Sequence, residues 1–137
     1  MEIILAENHG FCYGVKRAVE MANEAADSDG KSYTLGPIIH NPQVVGRLES
    51  KGVSPIQEVS DIDEGTMIIR SHGVGPAIYE EADEKGLNIL DATCPHVKKA
   101  QQDAKSVIED GMTLVILGEK NHPEVKSINL WANTKGE

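Results

Sequence analysis

The sequence predicts an α/β fold of repeated strand–helix units with a largely parallel sheet. Two patterns carry that reading. Short apolar runs alternate with stretches whose apolar residues recur at helical spacing, and the connections between them are short. Glycine or proline stands at most of the switches.

Taken in order, "EIILA" (2–6) reads as the first strand, and 14–27 as a helix with Val15, Ala18, Val19 and Ala22 on one face. "SYTLG" (32–36) is a strand, 42–51 a helix, and "VSPI" (53–56) a further short strand. "TMIIRS" (66–71) and "LNILD" (87–91) are strands flanking a helix at 76–85. A helix at 95–110, a strand at "TLVILG" (113–118) and a helix at 123–130 complete the series. Gly30, Gly52, Gly86 and Gly111 follow helices, as suits a residue that ends a helix at positive φ. Four of the six prolines, Pro42, Pro76, Pro95 and Pro123, fall at helix starts, where a missing N–H costs nothing.

A chain of 137 residues can close one modest core, or one domain and the start of a second. Its apolar share of 39% and charged share of 26% are those of an ordinary globular protein. No apolar run approaches the roughly 18 residues of a membrane helix, and the N-terminus lacks the basic start of a signal peptide, so a cytoplasmic protein is expected. Thirteen basic residues against 22 acidic ones give a net charge of −9, which opposes nucleic-acid binding but leaves room for a small anion held locally. The two cysteines are 82 positions apart and form no zinc-ribbon motif, leaving core thiol, nucleophile or metal ligand open.

The strand-to-helix junctions are more informative. They read "AENHGFCYG", "LGPIIHNPQ", "IRSHGVGPA", "LDATCPHV" and "LGEKNHPEV". Each carries one thiol or imidazole at the switch: Cys12, His40, His72, Cys94 and His122, at separations of 28, 32, 22 and 28 residues. In a parallel α/β sheet, strand C-termini and helix N-termini share the edge where ligands bind, and free N–H groups there favour anions. Two chemistries fit: cysteines and histidines holding one metal such as zinc, or cysteines holding an iron–sulfur cluster beside a histidine-lined anion pocket. His96, two residues after Cys94, falls in a first helical turn and reads as exposed or capping. His9 reads as a turn residue, while Gly10, Gly14, Gly73 and Gly75 would let backbone approach a ligand.

In order and spacing, "GFCYGVKRA", "IIHNPQVV", "SHGVGP", "DATCPHV" and "NHPEV" resemble the motifs of the IspH (LytB) family of 4-hydroxy-3-methylbut-2-enyl diphosphate reductases, over essentially the whole chain. The resemblance implies three similar α/β domains around an oxygen-sensitive 4Fe–4S cluster, held by one cysteine per domain, with one iron open to the substrate hydroxyl. It implies that Cys12 and Cys94 are cluster ligands, that His40, His72 and His122 bind the substrate diphosphate, and that Glu124 passes protons to the leaving hydroxyl. Electrons would come from ferredoxin or flavodoxin, and the products would be isopentenyl and dimethylallyl diphosphate.

On that resemblance, residues 1–93 make a first domain and 94–137 the first half of a second. A third cysteine, a downstream Ser-x-Asn segment and a threonine near the substrate hydroxyl are missing from this chain, and Ser127 and Leu130 stand where the family usually has glycine. A fragment is therefore expected, holding no stable cluster and catalysing nothing alone, with apolar surface left uncovered. Two other classes compete: a non-catalytic phosphate-binding α/β module, which leaves both cysteines idle, and a cysteine-nucleophile enzyme, which uses one cysteine and one histidine. The sequence shows neither a GxGxxG nor a Walker lysine motif.

Overall fold

The computed structural model describes residues 1–7, 9–28 and 30–132. Among these, four strands form one sheet: β1 (Ser32–Leu35), β2 (Val53–Ile56), β3 (Thr66–Ile69) and β4 (Asn88–Asp91). The order is β2-β1-β3-β4 and every pairing is parallel. The helices are α1 (Tyr13–Ala26), α2 (Pro42–Glu49), α3 (Pro76–Glu84), α4 (Pro95–Glu109) and α5 (Pro123–Trp131), with a single 3-10 turn at Val59–Asp61.

Parallel strands covered on both faces need apolar residues in succession rather than in alternation. Met67, Ile68 and Ile69 of β3 meet that need, and all three are fully buried. Ile68 packs with Ala18, Val19 and Ala22 of α1 and Val44 and Leu48 of α2. Met67 and Ile69 point the other way, into a cluster with Leu35, Ile56, Val59 and Ala82 of α3. Burying each of these large side chains is worth about 1.5–3 kcal/mol. Pro55 breaks no ladder that matters, because β2 is an edge strand.

Four helices begin on proline at the expected sites, and Asn41 caps α2 by accepting from the Val44 N–H at 3.0 Å. Two expectations are corrected. "EIILA" and "TLVILG" carry strand-like sequence, yet neither enters the sheet. Ile3, Ile4 and Leu5 are 77%, 82% and 77% exposed, and Val115 and Leu117 are 76% and 96% exposed. A strand persists only with a ladder partner and a face to bury, and among the described residues these segments have neither.

From residue 94 onward the regular elements among the described residues are therefore two helices, α4 and α5, which pack on each other, and residues 133–137 of the expected second unit lie outside the described residues. The C-terminal end of α5 is tied back by the Trp131 indole N–H, which donates to the Val74 carbonyl at 2.8 Å. No helix among the described residues is long and apolar enough to cross a membrane.

Candidate functional site

The parallel ladder does not stop where the strands do. Past β1 and β3, the Ser71 N–H and hydroxyl both donate to the Ile38 carbonyl at 3.3 Å. Past β3 and β4, the Cys94 N–H donates to the Ser71 carbonyl at 2.9 Å. These bonds stitch together the loops that carry His40, His72 and Cys94. From the other side, the Ser127 hydroxyl of α5 lies 2.9 Å from both the His72 carbonyl and the Glu124 carbonyl of its own helix, sharing its one proton between them, and accepts from the Gln101 amide at 3.2 Å. The helix that begins at His122 is thus fixed to the loop of His72.

The result is a cluster of three imidazoles at the C-terminal edge of the sheet. Ring centroids lie 4.5 Å apart for His40–His72, 5.7 Å for His72–His122 and 6.0 Å for His40–His122. One nitrogen from each ring lies within 4.8 Å of the others, a space that suits one small ion or the oxygens of one phosphate. His40 is exposed, and His72 and His122 are half-buried.

Burial pushes the His72 imidazolium down to about 4, helped by the charges of His40, Arg70 and His122, so the ring is neutral at pH 7. Its Nδ1 is buried with no hydrogen-bond partner among the described residues. His122 caps α5, its Nδ1 accepting from the Glu124 N–H at 3.3 Å. In the neutral ring the proton then sits on Nε2, available as a donor. Glu124 is half-buried in the first turn of the same helix.

Cys12 and Cys94 both occupy N-cap positions, of α1 and α4, and neither side chain is used in capping. Cys12 is exposed and Cys94 half-buried, both as free thiols. Gly14, two residues after Cys12, is buried against Cys94: a Cβ there would run into Cys94 Sγ and lie 3.0 Å from its Cβ. Arg17 of α1 also crosses over, donating to the Thr93 carbonyl at 3.3 Å and the Asp91 carbonyl at 3.5 Å. The two cysteine-bearing helix starts are therefore neighbours, with a hollow where only glycine fits. Two free thiols beside a glycine that leaves them room are chemically suited to an iron–sulfur cluster.

His96 is exposed on α4, and His9 bonds the Ala6 carbonyl at 2.8 Å, both as the sequence suggests. Sequence reasoning overlooked Arg17 and Arg70, and singled out Ser127 only as a replacement for glycine, not for the bonds it makes. For Arg70 a signal existed: a lone cation closes the apolar run "TMII", two residues before His72. Leu130 packs on Gly75, where an added Cβ would lie 2.7 Å from Leu130 Cδ1.

A family model described as LytB protein matches residues 3–136. The chain belongs to the LytB family. Among its relatives, the 4-hydroxy-3-methylbut-2-enyl diphosphate reductase of Geotalea uraniireducens is 55% identical over 135 residues, covering 98% of this chain and 48% of the relative. That of Geobacter sulfurreducens is 54% identical over 132 residues, covering 96% and 47%. A solved structure of (E)-4-hydroxy-3-methyl-but-2-enyl diphosphate reductase, the terminal enzyme of the non-mevalonate pathway, matches with a TM-score of 0.83 at 50% identity, over 98% of this chain and 49% of that one. The E-1-hydroxy-2-methyl-but-2-enyl-4-diphosphate reductase from Plasmodium falciparum matches with a TM-score of 0.87 at 32% identity, over 93% and 41%. This LytB chain thus spans about half the length of the relatives it matches.

Proposed function

We propose that this chain is the N-terminal part of a reductase that removes the hydroxyl of 4-hydroxy-3-methylbut-2-enyl diphosphate as water, giving isopentenyl and dimethylallyl diphosphate. The observation that carries the reading is the meeting of His40, His72 and His122 beside the Cys94 loop, residues far apart in the chain. Residues 1–93 form the first domain and 94–137 open the second. The working protein is cytoplasmic and draws electrons from ferredoxin or flavodoxin.

In this reading Cys12 and Cys94 hold two irons of a 4Fe–4S cluster, with the third thiolate outside this chain. When bound, the cluster supplies electrons and a Lewis-acidic iron. The chain's own residues bind, orient and protonate. His122 donates from Nε2 to a phosphate oxygen, because its Nδ1 is committed to the helix cap. His40 and His72 close on the same group from the two neighbouring strand ends. This anchors the diphosphate and fixes where the hydroxyl end of the substrate lies. The Glu124 carboxyl, two residues from the anchor, carries a proton to the leaving oxygen.

The test is a chimera in which this chain replaces the matching half of the Geotalea uraniireducens reductase, purified and assayed without oxygen. The chimera is expected to be brown and to turn over substrate. Cys12→Ser and Cys94→Ser should each lose cluster absorbance, while Glu124→Gln should keep the colour and lose turnover. A folded, cluster-bearing chimera without activity, or full cluster absorbance in Cys94→Ser, refutes the assignment. The chain alone is expected to hold no stable cluster and to show no turnover.

A further inference from the structure

The imidazole site has a shortage. A diphosphate carries several negative charges, whereas imidazoles offer directed N–H donors but no permanent charge, and the chain as a whole is at −9. Somewhere near the triad a permanent cation is needed, held so that an anion can reach it.

Arg70 has that character. It follows β3 directly, and its guanidinium lies across Gly36, the residue after β1. The parallel register that pairs Leu35 with Ile69 sets these two side by side. A Cβ on residue 36 would lie 2.7 Å from Arg70 Nη1 and 3.5 Å from its Cζ, so glycine opens the channel in which the arginine lies. Gly36 also sits at φ +70, a backbone state that side-chain-bearing residues rarely adopt.

Arg70 is half-buried, and its Nε is fully buried without a hydrogen-bond partner among the described residues. Nor does any carboxylate among them form an ion pair with it. A desolvated cation with an idle donor is costly to keep in a fold. The same group is well made for a phosphate, which accepts two parallel N–H bonds from a guanidinium. It stands at the C-terminal end of β3, two residues before His72, on the edge of the sheet where the three imidazoles gather.

We propose that Arg70 is a phosphate-binding residue of the imidazole site, its guanidinium supplying the fixed positive charge that His40, His72 and His122 lack. This rests on the diphosphate reading above and adds a residue to it. A charge-assisted bond of this kind contributes about 1.5–3 kcal/mol, or roughly 10- to 100-fold in affinity.

Calorimetric titration of the chain with inorganic pyrophosphate at low ionic strength tests it, using the parent and the Arg70→Gln, Arg70→Lys and His72→Ala variants, each with its melting temperature. The expected result is about tenfold or greater weakening in Arg70→Gln, a flatter salt dependence, and recovery of most of the loss in Arg70→Lys. Unchanged affinity in Arg70→Gln, with binding lost in His72→Ala, overturns the role of Arg70 and leaves the diphosphate reading standing. Equal weakening in Gln and Lys variants, together with a lowered melting temperature, overturns it in favour of a packing role. Failure of the parent to bind pyrophosphate overturns both.

Discussion

The hollow between Cys94 and α1 gives a sharp test of the cysteine geometry, through Gly14→Ala. In a helix, alanine is ordinarily favoured over glycine by up to about 1 kcal/mol. At Gly14 the added methyl meets the Cys94 thiol and lies 3.0 Å from Cys94 Cβ, inside the ordinary carbon–carbon separation of about 3.5–4.0 Å. Turning the thiol aside relieves the first contact but not the second, so α1 and the Cys94 turn must part. Overpacking of this kind costs about 1–3 kcal/mol. The net effect is a loss of about 1–2 kcal/mol, or about 3–7 °C in melting temperature for a chain of this size. Gly46 on α2 provides the matched control, since it is exposed and a Cβ there meets nothing within 4 Å. Gly46→Ala should gain about 0.5–1 kcal/mol and melt higher. Thermal melts of the two variants should therefore move in opposite directions. Iodoacetamide alkylation of Cys94, followed by peptide mass spectrometry, should change rate only in Gly14→Ala. Equal melting temperatures with unchanged Cys94 alkylation would refute the close approach of α1 to the second cysteine.

Other expectations follow from the same contacts. Ser127→Ala removes the donor to the His72 carbonyl and strands the buried Gln101 amide, so it should cost about 1–2 kcal/mol in urea unfolding. Because folding lowers the His72 value from 6.5 to about 4, the folded chain resists protonation there: its stability is complete above pH 6.5 and falls as pH drops towards 4. Between pH 7 and pH 5 the linkage allows at most about 2 kcal/mol, and about 1 kcal/mol once screening of a half-exposed ring is counted. His72→Gln should flatten that part of the stability–pH curve. Asp91 acts lower on the scale: burial raises its carboxyl, but the Lys98 ammonium and the Thr93 N–H outweigh this and hold it below the usual range, so its contribution is present above about pH 4 and lost as pH falls through the lowered value. Leu117→Asp, at a residue 96% exposed, should leave the melting temperature unchanged and reduce self-association in sedimentation velocity.

Local signals and the structure agree wherever the reason for an element lies within the element. The proline-led helices, the αL glycines after them, and the continuous apolar run of β3 each encode their own conformation. "EIILA" and "TLVILG" show the limit of this: a strand needs a neighbour, and period alone does not reveal whether one is present. The gathering of His40, His72 and His122 was legible because parallel topology sends every strand-to-helix junction to one edge. Arg70, Arg17 and Ser127 were not legible, since their importance lies in partners found 34, 76 and 55 positions away: Gly36, Thr93 and His72. An arginine at the end of a strand looks the same in sequence whether it faces water or a hollow.

The bonds that run past the strand ends also set an order of events. Ser71 and Ile38 are 33 residues apart, and Ser71 and Cys94 are 23 apart, so each bond closes only after the intervening crossover has come home. Long loops pay their entropy before such contacts return anything. The parallel ladder itself spans the same separations, so the imidazole rim closes together with the sheet it extends, and ligand capture reports a finished chain. In stopped-flow refolding, pyrophosphate should leave the early helix-forming phase untouched and act only on the final one.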